Sequence, residues 1–202
     1  MLARWMVAGV LLVLGTGVGG WGQEGLSLAA DYQMRIEGTS NVRKWDADIT
    51  RLEADFILSA PSDDAQIALL GASIEKLVLR IAVEDIRSKT KGLTGKIHKY
   101  LKKDDQPDIV FELGQVTDVV PVEEGVLVTA LGVVNAAGAE HEVTMEVGLV
   151  RDGEGRLLVS GSQALQMTSF AIKPPTAFFG AMRADDDIVV YFELTFGADG
   201  TP

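Results

Sequence analysis

From Asp31 onward the chain alternates apolar and polar residues, the two-residue period of strands with one buried face. Tyr32, Met34 and Ile36 interleave with Gln33, Arg35 and Glu37. Ala54, Phe56 and Leu58 continue the pattern, and Leu77, Leu79, Ile81 and Val83 oppose Val78, Arg80, Ala82 and Glu84. Ile109, Phe111 and Leu113 share a face, as do Val143, Met145, Val147 and Leu149. Ile188, Val190, Phe192, Leu194 and Phe196 form the last such run. Turn-forming clusters at Pro61–Asp64, Glu123–Gly125, Ala137–Gly138 and Asp152–Gly155 separate the runs. About eight short strands in one domain imply an antiparallel barrel or a sandwich. Closure into a barrel removes exposed edges, which matters for strands this apolar.

One segment breaks the rhythm. Between Gly92 and Lys103, Leu93, Ile97, Tyr100 and Leu101 recur at helical spacing, with Lys96, Lys99, Lys102 and Lys103 on the other face. The spacing predicts a short amphipathic helix capping one end of a barrel, its basic last turn suited to the helix dipole. Pro174-Pro175 and the following Thr176–Met182 predict a second ordered loop rich in apolar surface. No internal repeat, low-complexity tract or linker divides the chain.

Residues 1–22 read as a signal peptide. Arg4 supplies a positive start, Met6–Leu14 an apolar run, and Gly20 and Gly22 the small residues before a cut at Gln23. A bilayer-spanning helix needs about 20 strongly apolar residues. Here Gly15, Gly17, Gly19 and Gly20 dilute the run first. Residues 23–202 are then one domain, with no stable membrane span after cleavage. The chain has no cysteine, so stability rests on a core that an apolar fraction of 47% can supply without disulfides. A net charge of −11 argues against general nucleic-acid binding and against a firm hold on anionic lipid headgroups.

Catalytic chemistry finds little support. His98 and His141 are the two histidines, neither in a metal-ligand spacing, and both read as solvated residues. Ser160-Gly161-Ser162 lies in a strand pattern, without the elbow that a nucleophilic serine requires. Asp185-Asp186-Asp187 lacks the alternating ligands of a calcium loop and reads as a solvated turn guarding an apolar strand. No metal site and no catalytic residue is assigned. Phe170, Phe178, Phe179 and Met182 cluster around the proline pair. An eight-stranded barrel either fills its interior with side chains or leaves room for one ligand, and composition alone leaves both open.

Three segments gain meaning from their order. They are Gly38-Thr39-Ser40-Asn41-Val42-Arg43-Lys44-Trp45, Pro107-Asp108-Ile109-Val110-Phe111, and the stretch from Met167-Thr168-Ser169-Phe170 through Pro174-Pro175-Thr176 to Gly180. With Ala130–Val143, which looks like paired strands around a glycine turn, they resemble the YceI-like family of exported lipid-binding β-barrels. The resemblance runs from Tyr32 to Phe196. It implies a lipocalin-like antiparallel eight-stranded β-barrel with a long hydrophobic cavity, in the periplasm or secreted. It further implies noncovalent binding, transport or sequestration of a polyisoprenoid or isoprenoid quinone, as a ligand rather than a cofactor.

Strand parity then assigns the cavity wall to Phe56, Leu79, Ile81, Phe111, Leu113, Val134, Met145 and Phe192. Ile97 and Leu101, with Phe170, Phe178 and Phe179, are expected to guard its mouth. Where many members of the family carry an Arg-Asp-x-His-Leu-Arg-like string, this chain has Gly95-Lys96-Ile97-His98-Lys99-Tyr100-Leu101-Lys102. Lysine meets a phosphate as a point charge and not bidentately. Lys99 and Lys102 are the headgroup contacts this string offers. The expected partner is an apolar lipid, with a homodimer left open. Two other readings stand beside this one: an interaction module with a filled core, and a lipid-modifying enzyme relying on His98 or His141.

Overall fold

Strands dominate the computed structural model, which describes residues 24–58 and 74–198, apart from the side chains of residues 24, 177, 178 and 198. The expected signal peptide and the Pro61–Asp64 turn lie outside the described residues. The first five strands are β1 (Glu24–Leu28), β2 (Gln33–Ser40), β3 (Trp45–Ile49), β4 (Glu53–Leu58) and β5 (Ile74–Ala82). A 3₁₀ turn at Val83–Asp85 leads into β6 (Ile86–Arg87), and then the helix α1 (Leu93–Tyr100). Four long strands follow: β7 (Asp108–Pro121), β8 (Val126–Ala136), β9 (Ala139–Arg151) and β10 (Leu157–Gln166). A 3₁₀ turn at Met167–Phe170, the short β11 (Thr176–Ala177) and a second 3₁₀ turn at Phe178–Gly180 precede β12 (Met182–Ala198).

The ladder runs β1-β4-β5-β7-β8-β9-β10-β12, and β12 pairs back onto β1, with Leu28 opposite Phe196. This closes an antiparallel eight-stranded barrel, as the alternation and the family resemblance implied. Three of the eight strand lines are broken in two. β1 and β2 are successive pieces of one line, β3 and β4 of the next, and β5 and β6 of the third. In the upper tier β12 pairs with β2, β2 with β3, and β3 with β6. There the ladder stops, since β6 has no ladder to β7 among the described residues. The Val83 N–H donates to the Pro107 carbonyl across this gap at 2.7 Å. α1 stands beside it, with His98 Nε2 3.0 Å from the Ile86 carbonyl oxygen.

Strict alternation fails at bulges, each of which adds one residue to a strand and bends it. In β7 the register shifts between Leu113 and Gln115 and again between Val116 and Asp118. The inner face therefore continues through the partly buried Val116 and Val119. A third irregularity, between Ala184 and Ile188 of β12, holds Asp185, Asp186 and Asp187. The expected solvated turn is thus a bulge inside a strand. Each of its carboxylates takes a different donor: Thr39 Oγ1 for Asp185, the Thr168 hydroxyl and N–H for Asp186, and Gln166 Nε2 for Asp187.

The lower end of the barrel is filled. Phe56 and Phe196 are fully buried and meet edge to face, with ring centroids 4.9 Å apart, among Leu149, Val126 and Leu157. Below them the β9–β10 turn is tied by Asp152, whose Oδ1 accepts from the Glu154 and Arg156 N–H groups and whose Oδ2 accepts from Arg156 Nε at 2.8 Å. Partial burial pushes the Asp152 carboxyl up, but these bonds outweigh it and hold it below the usual carboxylate range.

Two outcomes follow. Phe56→Ala should cost about 3–5 kcal/mol in denaturant unfolding, since a large aromatic leaves a cavity that its neighbours cannot fill. Asp152 has a folded pKa below its unfolded value, so its contribution is full above about pH 4 and lost as pH falls through the lowered value. Asp152→Asn should therefore lose less stability than the parent between about pH 5 and pH 2 in parallel urea titrations.

Candidate functional site: an apolar lumen with a basic mouth

Above the Phe56–Phe196 pair the inner faces separate around a cavity of about 170 Å³. Phe56 forms part of its floor. Leu79 and Ile81 of β5, Phe111 and Leu113 of β7, Val134 of β8, Met145 of β9 and Phe192 of β12 line its wall. Leu101, just past α1, and Phe170, in the first loop turn after β10, line it as well. A second space of about 200 Å³ opens at the mouth, with Ile97 in its wall. The two spaces share Ile36, Leu101, Met167, Ile172 and Ile188, so mouth and lumen adjoin at these side chains.

Large inward phenylalanines would ordinarily fill a barrel of this size. Two glycines keep them against the wall. Gly161 of β10 pairs directly with Phe192, and a Cβ on Gly161 would stand 2.9 Å from the Phe192 ring. Gly132 of β8 lies diagonal to Phe111, and a Cβ there would stand 2.4 Å from that ring and 2.8 Å from the Glu112 carbonyl oxygen. Each ring thus lies across a position with no side chain, the cross-strand arrangement in which an aromatic covers a glycine. At the mouth the Trp45 indole covers Gly38 and donates from Nε1 to the Thr39 carbonyl at 3.1 Å.

The lumen wall is apolar except for the amide of Gln163, which donates from Nε2 to the Ala164 carbonyl. Polarity is concentrated at the mouth, which is lined by Arg43, Lys91 and Lys96 beside Trp45, Leu93 and Tyr100, with no carboxylate among its lining residues. Loop 41–44 is fixed there by Asn41, which donates to the Ala181 carbonyl and accepts from the Arg183 N–H.

Several sequence expectations are relocated. Lys99 is exposed and lines neither space, and Lys102 Nζ donates to the Ala137 carbonyl at 2.8 Å. The cations at the mouth are therefore Arg43, Lys91 and Lys96. Lysines on one helix face point in several directions once the helix packs, and Lys102 follows the helix in a left-handed conformation, with φ 56°. Phe179 does not guard the mouth: it lies at a turn tip, fully exposed, and lines neither space. The side chain of Phe178 lies outside the described residues. Of the histidines, His98 is part-buried against the Ile86 carbonyl, whereas His141 is exposed as expected, its ring edge-on to Phe170 at 5.7 Å. Among the described residues no group of acidic, histidine or cysteine side chains is arranged to hold a metal ion.

Parity found the lumen wall but missed Gln163, which sits on the inner face of β10 between Gly161 and Leu165. It also missed Arg43 and Lys91, which belong to loops far apart in sequence. The signal for Arg43 was its place inside the Gly38–Trp45 string.

A closed antiparallel barrel with an apolar lumen open at one end defines a class of protein, the barrels that enclose a small apolar space. Neither a protein-family model nor a curated protein matches the sequence. Solved structures do match the fold. BcnA of Burkholderia cenocepacia aligns at a TM-score of 0.61 and 14% identity, over 82% of this chain and 96% of BcnA. A polyisoprenoid-binding domain from Saccharophagus degradans, implicated in plant cell wall breakdown, aligns at 0.61 and 10% identity, over 87% of this chain and 99% of that domain. The YceI protein of Campylobacter jejuni aligns at 0.57 and 14% identity, over 77% and 85% of the two chains. The resemblance to YceI-like proteins read from the sequence segments is thus carried by the fold.

The glycine seats can be tested separately. Gly161→Ala should stay folded by circular dichroism but lift the Phe192 ring into the lumen, reducing the apolar ligand it holds. Both added methyls meet a backbone oxygen, that of Glu146 at 3.1 Å for Gly161 and the closer one of Glu112 at 2.8 Å for Gly132. Gly132→Ala should therefore cost the more, about 1–3 kcal/mol in thermal or urea unfolding.

Proposed function

We propose that this protein binds a long apolar lipid noncovalently in the barrel lumen, the tail in the cavity and the head at the basic mouth. The observation that carries this reading is an apolar lumen adjoining a mouth lined by Arg43, Lys91 and Lys96. The two adjoining spaces approach the lower end of the ~300–1,000 Å³ typical of small-molecule sites. Each buried methylene contributes about 0.8 kcal/mol, so ten contribute about 8 kcal/mol. Association itself costs roughly 4–15 kcal/mol. Each further buried methylene offsets more of that cost. In a wall so poor in polar partners a longer tail, such as a polyisoprenoid or an isoprenoid quinone tail, is therefore favoured over a short acyl group, up to the length the cavity admits.

Two observations support this ligand class. The chain shares its fold with a polyisoprenoid-binding domain, and its lumen suits an unbranched or methyl-branched chain that needs no polar partner. We place residues 1–22 as a cleaved signal peptide and residues 23–202 as the mature lipid-binding domain in the periplasm or outside the cell. In that setting the protein carries or sequesters the lipid across water and performs no chemistry on it.

Native mass spectrometry of protein purified from its own envelope, followed by organic extraction, tests the reading. A discrete added mass that extracts as an isoprenoid is expected. Phe192→Asp, which places a carboxylate in the lumen, should remain folded and lose that mass. An apo protein that also refuses offered polyprenols and quinones would defeat the proposal.

A further inference from the structure

The net charge of −11 conceals a segregation of charge along the barrel axis. The loops at the open end carry Arg43, Lys44, Lys91, Lys96, Lys99 and Lys173, with Asp104 and Asp105 as the carboxylates of the same loops. The turns at the closed end carry Glu123, Glu124, Asp152 and Glu154, with Arg156 engaged by Asp152 and Arg151 donating to the Gly155 carbonyl. The rim strands add the exposed Asp46 and Glu140, the latter held by Asn135, while the β12 carboxylates Asp185, Asp186 and Asp187 are held by Thr39, Thr168 and Gln166. A second feature coincides with the basic end. Phe179 projects from the loop tip with its side chain wholly in solvent, at 113% of the reference exposure. Val42, 61% exposed, stands on the adjacent loop, which Asn41 ties to the 181–183 backbone.

A fully exposed phenylalanine has no account in packing, and the loop that carries it borders the lumen opening, since Pro175, Thr176 and Met182 line the mouth. An apolar tip among flexible cations matches a lipid interface, where the ring enters the acyl boundary and the lysines meet anionic headgroups. We propose that the open end of the barrel docks on an anionic lipid bilayer, with Phe179 and Val42 as the inserted tips. The acidic closed end then faces away from the membrane, and the charge that argues against membrane binding for the whole chain instead orients it. This inference rests on the lipid-binding reading, because a membrane-facing lumen lets a water-insoluble chain enter without crossing solvent.

The experiment is co-sedimentation of the mature, ligand-free protein with phosphatidylcholine vesicles, with and without a phosphatidylglycerol fraction. Binding is expected to the anionic vesicles, to weaken as salt rises from about 0.05 to 0.5 M, and to be slight on phosphatidylcholine alone. Lys44→Gln should lower partitioning roughly fivefold, the share of one basic residue near an anionic surface. Phe179→Ser should lower it further in an anionic membrane at every salt concentration. Both side chains lie outside the lumen wall, so uptake of a polyprenol delivered by cyclodextrin should be unchanged in both variants. Equal binding to both vesicle types, no binding to either, or indifference to both substitutions overturns the docking proposal. Intact polyprenol uptake without vesicle binding sinks docking alone and points to delivery by a protein partner. Vesicle binding without polyprenol uptake leaves docking standing and sinks the lipid-carrying reading.

Discussion

Pairing of β1 with β12 is the contact on which the architecture depends. It joins the first described strand to the last, and through it the sheet loses the edges that strands this apolar could not safely expose. Eight strands enclose little more volume than their own side chains can occupy. Everything distinctive about the interior is therefore a question of where bulky inward residues go. At the lower end Phe56 and Phe196 meet each other and fill the space. Higher up, Phe111 and Phe192 lie over Gly132 and Gly161, and the space stays open. The same residue type closes one end and keeps the other free, and the difference lies in the neighbour across the ladder.

The mouth follows from a different constraint. Three of the eight strand lines break and resume, so in the upper tier β2, β3 and β6 extend the same sheet from β12. The break brings loop 41–44 against the turn before β12 and leaves α1 to stand beside β6. Arg43 converges with Lys91 and Lys96 because its loop and the start of α1 share an end, although the chain separates them widely. The Asp185–Asp187 bulge serves the same region, with one carboxylate for each of three segments that frame the opening. A triad that looks like a cation site by composition is spent on Thr39, Thr168 and Gln166.

The strands and most of the lumen wall were legible in the sequence because period-two alternation records which face is buried. That record is local, and it fails where a bulge changes the count, as it does beyond Leu113 in β7. Phe179 was misread for a related reason. An aromatic-rich loop beside paired prolines reads as buried surface, and nothing in its composition says that one ring faces out. Lys99 and Lys102 were assigned from helix periodicity, which gives a face but not the neighbour that face will meet, and the Ala137 carbonyl claims Lys102. The basic mouth was legible only in part: helix periodicity offered Lys96 at the barrel end, but Arg43 comes to it from a distant loop. The open lumen was only half legible: the inward phenylalanines were visible, but not the glycines beneath them.

The missing ladder between β6 and β7 gives the upper tier the form of a split collar and not of a ring. A ring of hydrogen-bonded strands has a fixed girth, and widening it means breaking backbone bonds in register. A split collar changes girth at its slit, where one Val83–Pro107 bond and the flank of α1 bridge the gap. The lower tier, fully laddered and packed on the Phe56–Phe196 pair, need not take part. The opening can thus change its girth at the slit while the lumen beneath it keeps its own.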